Sequence, residues 1–435
     1  MKMNVPAPLP CLTLALVLFV MQFSDRAAAW GNSVQEVNDR HTGAIPLGSL
    51  IEEANSRNPQ ILAAVHSYKA AAAVPKRVAA LPDTQVVIQQ FSVGSPRPFA
   101  GYTTSDFAYI GIGGSQDFPY PGKRKLRAEV ARHDADSFHA QSETVRQGVI
   151  ERVKDVYLHL ASAQQSIKVF QRYDEMLVEM LGIADSRYRM GQGNRQEVVK
   201  TQRQRAKIQQ EIMMGRRDEG RLEAQLKQLL GRDQESADIQ TELLKERAMP
   251  YSPSQLLRLV GEQNPAVLSR QATLKQAQSQ VALAHQEFRP DFSLQYMYQN
   301  TDRKFPDYYL LTFGFTLPNR GRRQAELAET QEKRKGAQQE LEAEVQRLRS
   351  ELQQQVVVAR SSEEQLKIYR EQLVPQAEAT FREAFAAYQA NRQDAETLLS
   401  LLLEALELEV QYQRELADHE SALAEVEALT GVTLP

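Results

Sequence analysis

The chain carries the same plan twice. "LIEEANSRNPQIL" at 50–62 aligns with "LLRLVGEQNPAVL" at 256–268, placing Asn58-Pro59 on Asn264-Pro265. "FPYPGKR" from Phe118 then falls on "LPNRGRR" from Leu317, "RYRMGQGNRQEV" at 187–198 on "AYQANRQDAETL" at 387–398, and "LLGRD" at 229–233 on "ALTGV" at 428–432. Four anchors in one order, about two hundred residues apart, define a duplicated unit. The first repeat is set at 30–245 and the second at 246–435. Whatever one unit builds, the chain builds two of them.

Each unit passes from β-like to helical sequence at its Pro-Gly turn. Residues 291–300 alternate: Phe292, Leu294, Tyr296 and Tyr298 face one way, Ser293, Gln295, Met297 and Gln299 the other. At 308–317, Tyr309, Leu311, Phe313, Phe315 and Leu317 oppose Thr312, Gly314 and Thr316 in the same manner. Stretches 84–93 and 107–116 hold the matching places in the first unit, with weaker alternation. Such segments have the length of a tilted transmembrane strand, about ten residues. A one-sided aromatic face on an isolated hairpin would have nothing to bury it.

The remainder reads as helix. Residues 122–245 and 321–430 are rich in Glu, Gln, Arg, Ala and Leu and are expected to form one long helical hairpin per unit. Val149, Val153, Val156, Leu160, Ile167 and Phe170 make a coiled-coil-like seam. A continuous helix from Leu126 to Met190 would reach roughly 100 Å at about 1.5 Å per residue. Pro375, standing where the first unit has Glu175, predicts a kink or a helix junction in the second unit only. Met190, Gly191, Gln192 and Gly193, with Ala390, Asn391, Arg392 and Gln393, interrupt the helices at matching places and are read as the two hairpin tips.

Composition and leader restrict the function. With 25% charged residues, 7% aromatics and a net charge of −3, the chain is too polar for one large core and shows no nucleic-acid footprint. Lys2, the apolar run at 12–20 and "AAA" at 27–29 predict a signal peptide spanning 1–29. The only cysteine, Cys11, lies inside it, so an exported mature chain has no thiol chemistry. Scattered histidines, and the lack of a zinc pair or a nucleophile elbow, argue against an enzyme: no catalytic residue, metal ligand or cofactor is expected. "GSQDFPYPGKRK" is no phosphate loop, because Arg124 stands where Ser or Thr should follow the lysine.

The duplication, the "NP" helices, "FPYPGKR", "RYRMGQGN" and "LVPQAEATFREAFAAYQANRQDAETLL" together make the chain resemble the TolC-like outer-membrane efflux proteins. That resemblance implies a mainly α fold with a transmembrane β part. It implies a homotrimer whose four strands per chain complete a twelve-stranded barrel continuous with a periplasmic α-barrel. The function implied is the passive exit duct of a tripartite pump, in contact with outer-membrane lipid. Its partners would be a periplasmic adaptor docked at the tips and an inner-membrane transporter of the resistance-nodulation-division or another class. Glu197 falls where the family often carries an acid near the periplasmic aperture, whereas Thr397 and Ser400 stand where some members place aspartates. "QDFPYPGKR" looks most like the heavy-metal-efflux branch. The turns Pro119, Pro121, Gly122, Lys123 and Arg124, and Pro318, Gly321, Arg322 and Arg323, are read as the bend from strand into tunnel helix, with a cationic collar from the basic residues. A periplasmic coiled-coil adaptor or scaffold is the competing reading; it would carry one helical hairpin rather than two units with a strand pair each.

Overall fold

A computed structural model describes residues 43–92, 108–301 and 306–432; the expected leader and residues 93–107, 302–305 and 433–435 lie outside the described residues. The first repeat contains α1 (Leu47–Arg57), α2 (Pro59–Ala79), β1 (Gln85–Phe91), β2 (Tyr109–Phe118), α3 (Lys123–Arg189) and α4 (Arg195–Leu230). The second contains α5 (Pro253–Gln263), α6 (Pro265–Gln286), β3 (Asp291–Asn300), β4 (Tyr308–Thr316), α7 (Arg320–Ile368), a π turn (Tyr369–Leu373), α8 (Val374–Gln389) and α9 (Ala395–Thr430).

The four strands form one antiparallel sheet in the order β1-β2-β3-β4, so the hairpins of the two units are joined through β2 and β3. Helices follow the same sideways order, α2 on α3, α3 on α6, and α6 on α7. Register aligns Ile112 with Tyr298, Leu294 with Phe313, and Phe292 with Phe315. One face of the sheet is therefore mainly aliphatic and aromatic, interrupted by Gln90, Gln116 and Asn300. Val86, Ile88, Leu311 and Phe313 on it are each at least 65% exposed, and Phe292 stacks on Phe313 and Tyr296 on Tyr309. The opposite face carries most of the polar residues, Gln89, Ser115, Ser293, Gln295, Gln299 and Thr312, along with Val87, Phe91, Tyr109, Tyr308 and Leu310, and Met297 is laid against Gly111 and Gly113. A Cβ at Gly113 would come within 2.3 Å of the Tyr296 carbonyl oxygen, so that close strand approach requires glycine.

Each "NP" pair is a helix start tied to the far end of its own unit. Asn58 caps α2 by accepting from Gln60 and Ile61 N–H, and its amide donates to the Leu229 carbonyl at 2.7 Å. Asn264 repeats the arrangement, accepting from Ala266 N–H and donating to Leu429 at 2.8 Å. Proline follows at the first helical position, where its missing N–H costs nothing.

Burial falls into three cores. Leu50, Val149, Val153, Leu160, Leu226 and Leu230 pack in the first unit, and Val260, Val267, Leu348, Leu352 and Leu423 in the second. A third, near the tips, is shared by α3, α4, α8 and α9 through Tyr173, Leu177, Ile208, Phe381, Tyr388 and Leu402. The expected seam is thus split: Val149, Val153 and Leu160 serve the first core, while Phe170 packs on the tip core.

One helical expectation changes and the other gains its mechanism. The first hairpin ends at Leu230 rather than 245, because Gly231 adopts φ +67 and Arg232 N–H bonds the Lys227 carbonyl, closing the helix. The chain then runs extended. Ile239 is inserted into the first core, the buried Gln164 carboxamide bonds the backbone of Ile239 and Thr241, and Ile45 pairs with Thr241. At Pro375 the outcome is a π turn: Val374 N–H bonds the Tyr369 carbonyl five residues back, and the wider turn accommodates the proline without a break.

Replacing Asn58 or Asn264 with Ala should destabilise its unit by about 1–2 kcal/mol through the lost cap. The double variant should show nearly the sum, since the two caps serve separate cores. Urea unfolding followed by circular dichroism measures this; an unchanged midpoint in either single variant would remove the tie between unit start and unit end.

Candidate conduit elements

At the strand-to-helix turn, Gly122 takes φ +97, and a Cβ there would sit 3.1 Å from the Gln286 amide nitrogen. Tyr120 N–H donates to the Asp291 carboxylate at 2.8 Å, fixing the turn to the start of β3. The second turn is built differently. Asn319 caps α7 by accepting from Arg322 N–H, Pro318 precedes it, and Gly321 already belongs to the first helical turn.

The basic residues expected to form a collar are largely consumed. Lys123 is 1% exposed; its ammonium lies 3.1 Å from Glu287 and 2.9 Å from Asp291, and it donates to the Arg289 carbonyl. Arg127 reaches the same Glu287 carboxylate at 2.9 Å and Arg323 reaches it at 3.2 Å. Arg124 donates to the Ala79 carbonyl that ends α2. Only Arg322 stays exposed with no side-chain partner among the described residues. Lys123 therefore cannot line a passage, since its charge is buried and saturated within one chain. The hub, Glu287, terminates α6, where a carboxylate opposes the helix dipole. That mismatch was the available sequence signal for a cationic cluster around it.

Both tips are tight reversals of the same geometry. Gly191 has φ +72 and Asn391 φ +58, the only positive φ outside glycine among the described residues. Gln192 N–H bonds Arg187 O and Arg392 N–H bonds Ala387 O at equivalent places, and Asn194 and Asp394 cap the returning helices. Met190, Gly191, Gln192, Ala390, Asn391 and Arg392 are exposed, with Gly193 and Gln393 half-buried. A Cβ on Gly193 would meet Arg187 Cβ at 2.9 Å, so this glycine is needed by the turn itself.

Just inside the tips, the two hairpins are tied by a group the sequence did not reveal. Tyr388 of α8 is buried and donates its hydroxyl to Glu197 of α4 at 2.7 Å. The guanidinium of Arg187 lies 4.5 Å from the Tyr388 ring centroid and bonds its carbonyl. Burial, reinforced by the Glu197 carboxylate, pushes the Tyr388 phenol above its ordinary range, so it remains a donor. Thr397 and Ser400 are exposed, but their hydroxyls bond Asp394 and the Glu396 carbonyl. Among the described residues no group of three or more His, Cys, Asp or Glu could hold a metal, and no helix is long and apolar enough to cross a membrane.

A family model described as outer membrane efflux protein matches residues 50–232 and 256–429, covering both repeats; the chain belongs to that family. The family is one of outer-membrane proteins that serve efflux, and so is this chain. No curated protein sequence matched it. Among solved structures, the chain is similar to CusC, with TM-score 0.75 and 16% identity over 88% of this chain and 91% of that one. It is similar to VceC of Vibrio cholerae, with TM-score 0.73 and 18% identity over 88% and 96%. The outer membrane channel MtrE of Neisseria gonorrhoeae, solved in an open state, matches with TM-score 0.73 and 16% identity over 88% of each chain. At these identities the likeness is one of fold.

Replacing Glu287 with Leu should cost about 1–3 kcal/mol, because it leaves the buried Lys123 ammonium with only the part-exposed Asp291 as counter-charge. Adding Lys123→Met should recover part of that loss, since Arg127 and Arg323 are half-exposed and can turn to water. Thermal unfolding of the purified protein checks both steps. Equal stability of the parent and the Leu variant would show that the hub contributes nothing.

Proposed function

We propose that three copies of this chain close a twelve-stranded barrel in outer-membrane lipid and continue it as a periplasmic helical tunnel. On this reading the chain is the exit duct of a tripartite efflux pump. The observation that carries it is the two-faced sheet, mainly apolar on one side and uncharged but largely polar on the other apart from Asp117 and Asp291, whose outer strands β1 and β4 each lack a second partner among the described residues. Four strands cannot close on themselves; joining β4 of one copy to β1 of the next removes every edge and presents the aromatic face to lipid. A soluble adaptor or scaffold would leave that face in water.

Transport energy comes, on this reading, from an inner-membrane transporter of the resistance-nodulation-division or another class, coupled through a periplasmic adaptor that meets the exposed tips at 190–193 and 390–393. The heavy-metal branch rests on "QDFPYPGKR" alone, and metal-tolerance assays in a deletion strain decide it against drug or peptide export. Glu197 acts at the periplasmic end as the acceptor of a cross-repeat tie rather than as one member of a free acidic ring.

Purification in detergent with mass measurement and low-resolution imaging should give a trimer with a long tube; a soluble monomer would end the duct reading. Within the trimer, Phe313→Arg should weaken membrane assembly by about 2–4 kcal/mol if it lies near the bilayer midplane. Unchanged assembly would mean that the aromatic face does not meet lipid. Bulky substitutions at Gln192 and Arg392 should abolish adaptor crosslinking and efflux while sparing the trimer. Normal crosslinking in that variant would remove the tips as the docking place.

A further inference from the structure

The polar face of the sheet carries almost no charge. Strand register places Gln85 and Gln89 of β1, Ser115 and Asp117 of β2, Asp291, Ser293, Gln295 and Gln299 of β3, and Thr312 and Thr316 of β4 on it. No lysine or arginine lies on any of the four strands. Of the two carboxylates, Asp291 is neutralised by Lys123 and also accepts from Tyr120 N–H. Asp117 is exposed and has no ion-pair partner among the described residues.

The neighbouring cations are directed elsewhere. Lys123, Arg127 and Arg323 converge on Glu287, and Arg124 is bonded to the end of α2. Arg289 lies 5.9 Å over the ring of Tyr120, which in turn stacks on Phe292, a member of the apolar face. Arg289 thus lies against that aromatic pair and forms no ion pair with Asp117 among the described residues. Arg320 and Arg322 stay exposed, but four and six residues beyond the last strand residue, on α7.

From this we infer that Asp117 is the residue that sets charge preference at the periplasmic end of the barrel, making the lumen there favour cationic over anionic solutes. This inference rests on the duct reading, which makes the polar face a water-filled lumen. One carboxylate per copy, two residues before the Pro119 turn, gives a negative ring in a lumen whose other lining groups are uncharged: amides and hydroxyls together with Val87, Phe91, Tyr109, Tyr308 and Leu310. A low-dielectric wall concentrates that field inward, and salt weakens it beyond about 10 Å at 0.1 M. The expected basic collar is replaced by an acidic one.

The mature sequence has no cysteine, so Ser115→Cys installs a single thiol on the same face, two residues from Asp117. Trimers in outer-membrane vesicles are treated from outside with cationic and anionic methanethiosulfonate reagents of matched size, and the two modification rates are compared. At about 7 Å and 0.1 M salt, one carboxylate should favour the cationic reagent by about threefold. Asp117→Asn should bring the ratio close to one, whereas Arg322→Gln should leave it or raise it. An unchanged ratio in Asp117→Asn, or a preference for the anionic reagent that Arg322→Gln abolishes, overturns the inference while leaving the duct intact. If neither reagent reaches Cys at 115 in an assembled trimer, the polar face is not a lumen, and both readings fail together.

Discussion

Two strand edges, on β1 and β4, have no partner among the described residues, and they govern this molecule. Backbone N–H and C=O groups that find neither water nor a partner cost several kcal/mol each in lipid. A sheet of four strands with an aromatic face cannot satisfy that requirement alone. Every larger feature is consistent with meeting it by repetition: the duplicated unit supplies two hairpins, β2 and β3 join them, and the helices α2, α3, α6 and α7 lie side by side in the order of the strands they flank. The helical layer thus inherits its order from the sheet. Long helices with narrow apolar stripes then need neighbours on either side, which is why burial divides into three modest cores rather than one.

The two halves share a backbone plan but not its polar chemistry. Glu287 gathers cations from α3 and α7 at the end of α6, while the matching end of α2 has Ala80 and is closed instead by Arg124 on the Ala79 carbonyl. Near the tips, Arg187, Glu197 and Tyr388 bind the hairpins of the two repeats to each other. The equivalent positions Ala387, Thr397 and Tyr188 make no such group, and Tyr188 is exposed. Identical anchors in sequence therefore lead to unequal contacts, because each interface places a residue of one repeat against the other rather than against its own copy.

Much of the plan was legible in the sequence. Duplication, strand alternation, the Pro-Gly bend and the hairpin reversals each depend on residues close together in the chain, and local geometry decides them. Gly191 and Asn391 tolerate positive φ, Asn58 and Asn264 cap helices, and the period of two along 291–300 sorts its faces without outside help. Helix ends were less secure. Gly231 closes α4 at a residue whose meaning depends on Ile239 and Gln164 accepting the extended connector that follows.

What tertiary structure alone decided is which charges remain free. Lys123 and Arg322 read alike as basic residues after a glycine, yet one is sealed by Glu287 and Asp291 and the other is open to solvent. Glu197 reads as a free acid and is bound by Tyr388, more than a hundred residues away. Sequence fixes the backbone's local choices because those are settled within a turn or a strand. The state of a charge is settled by whatever the fold brings within about 4 Å, and only the assembled repeats supply that.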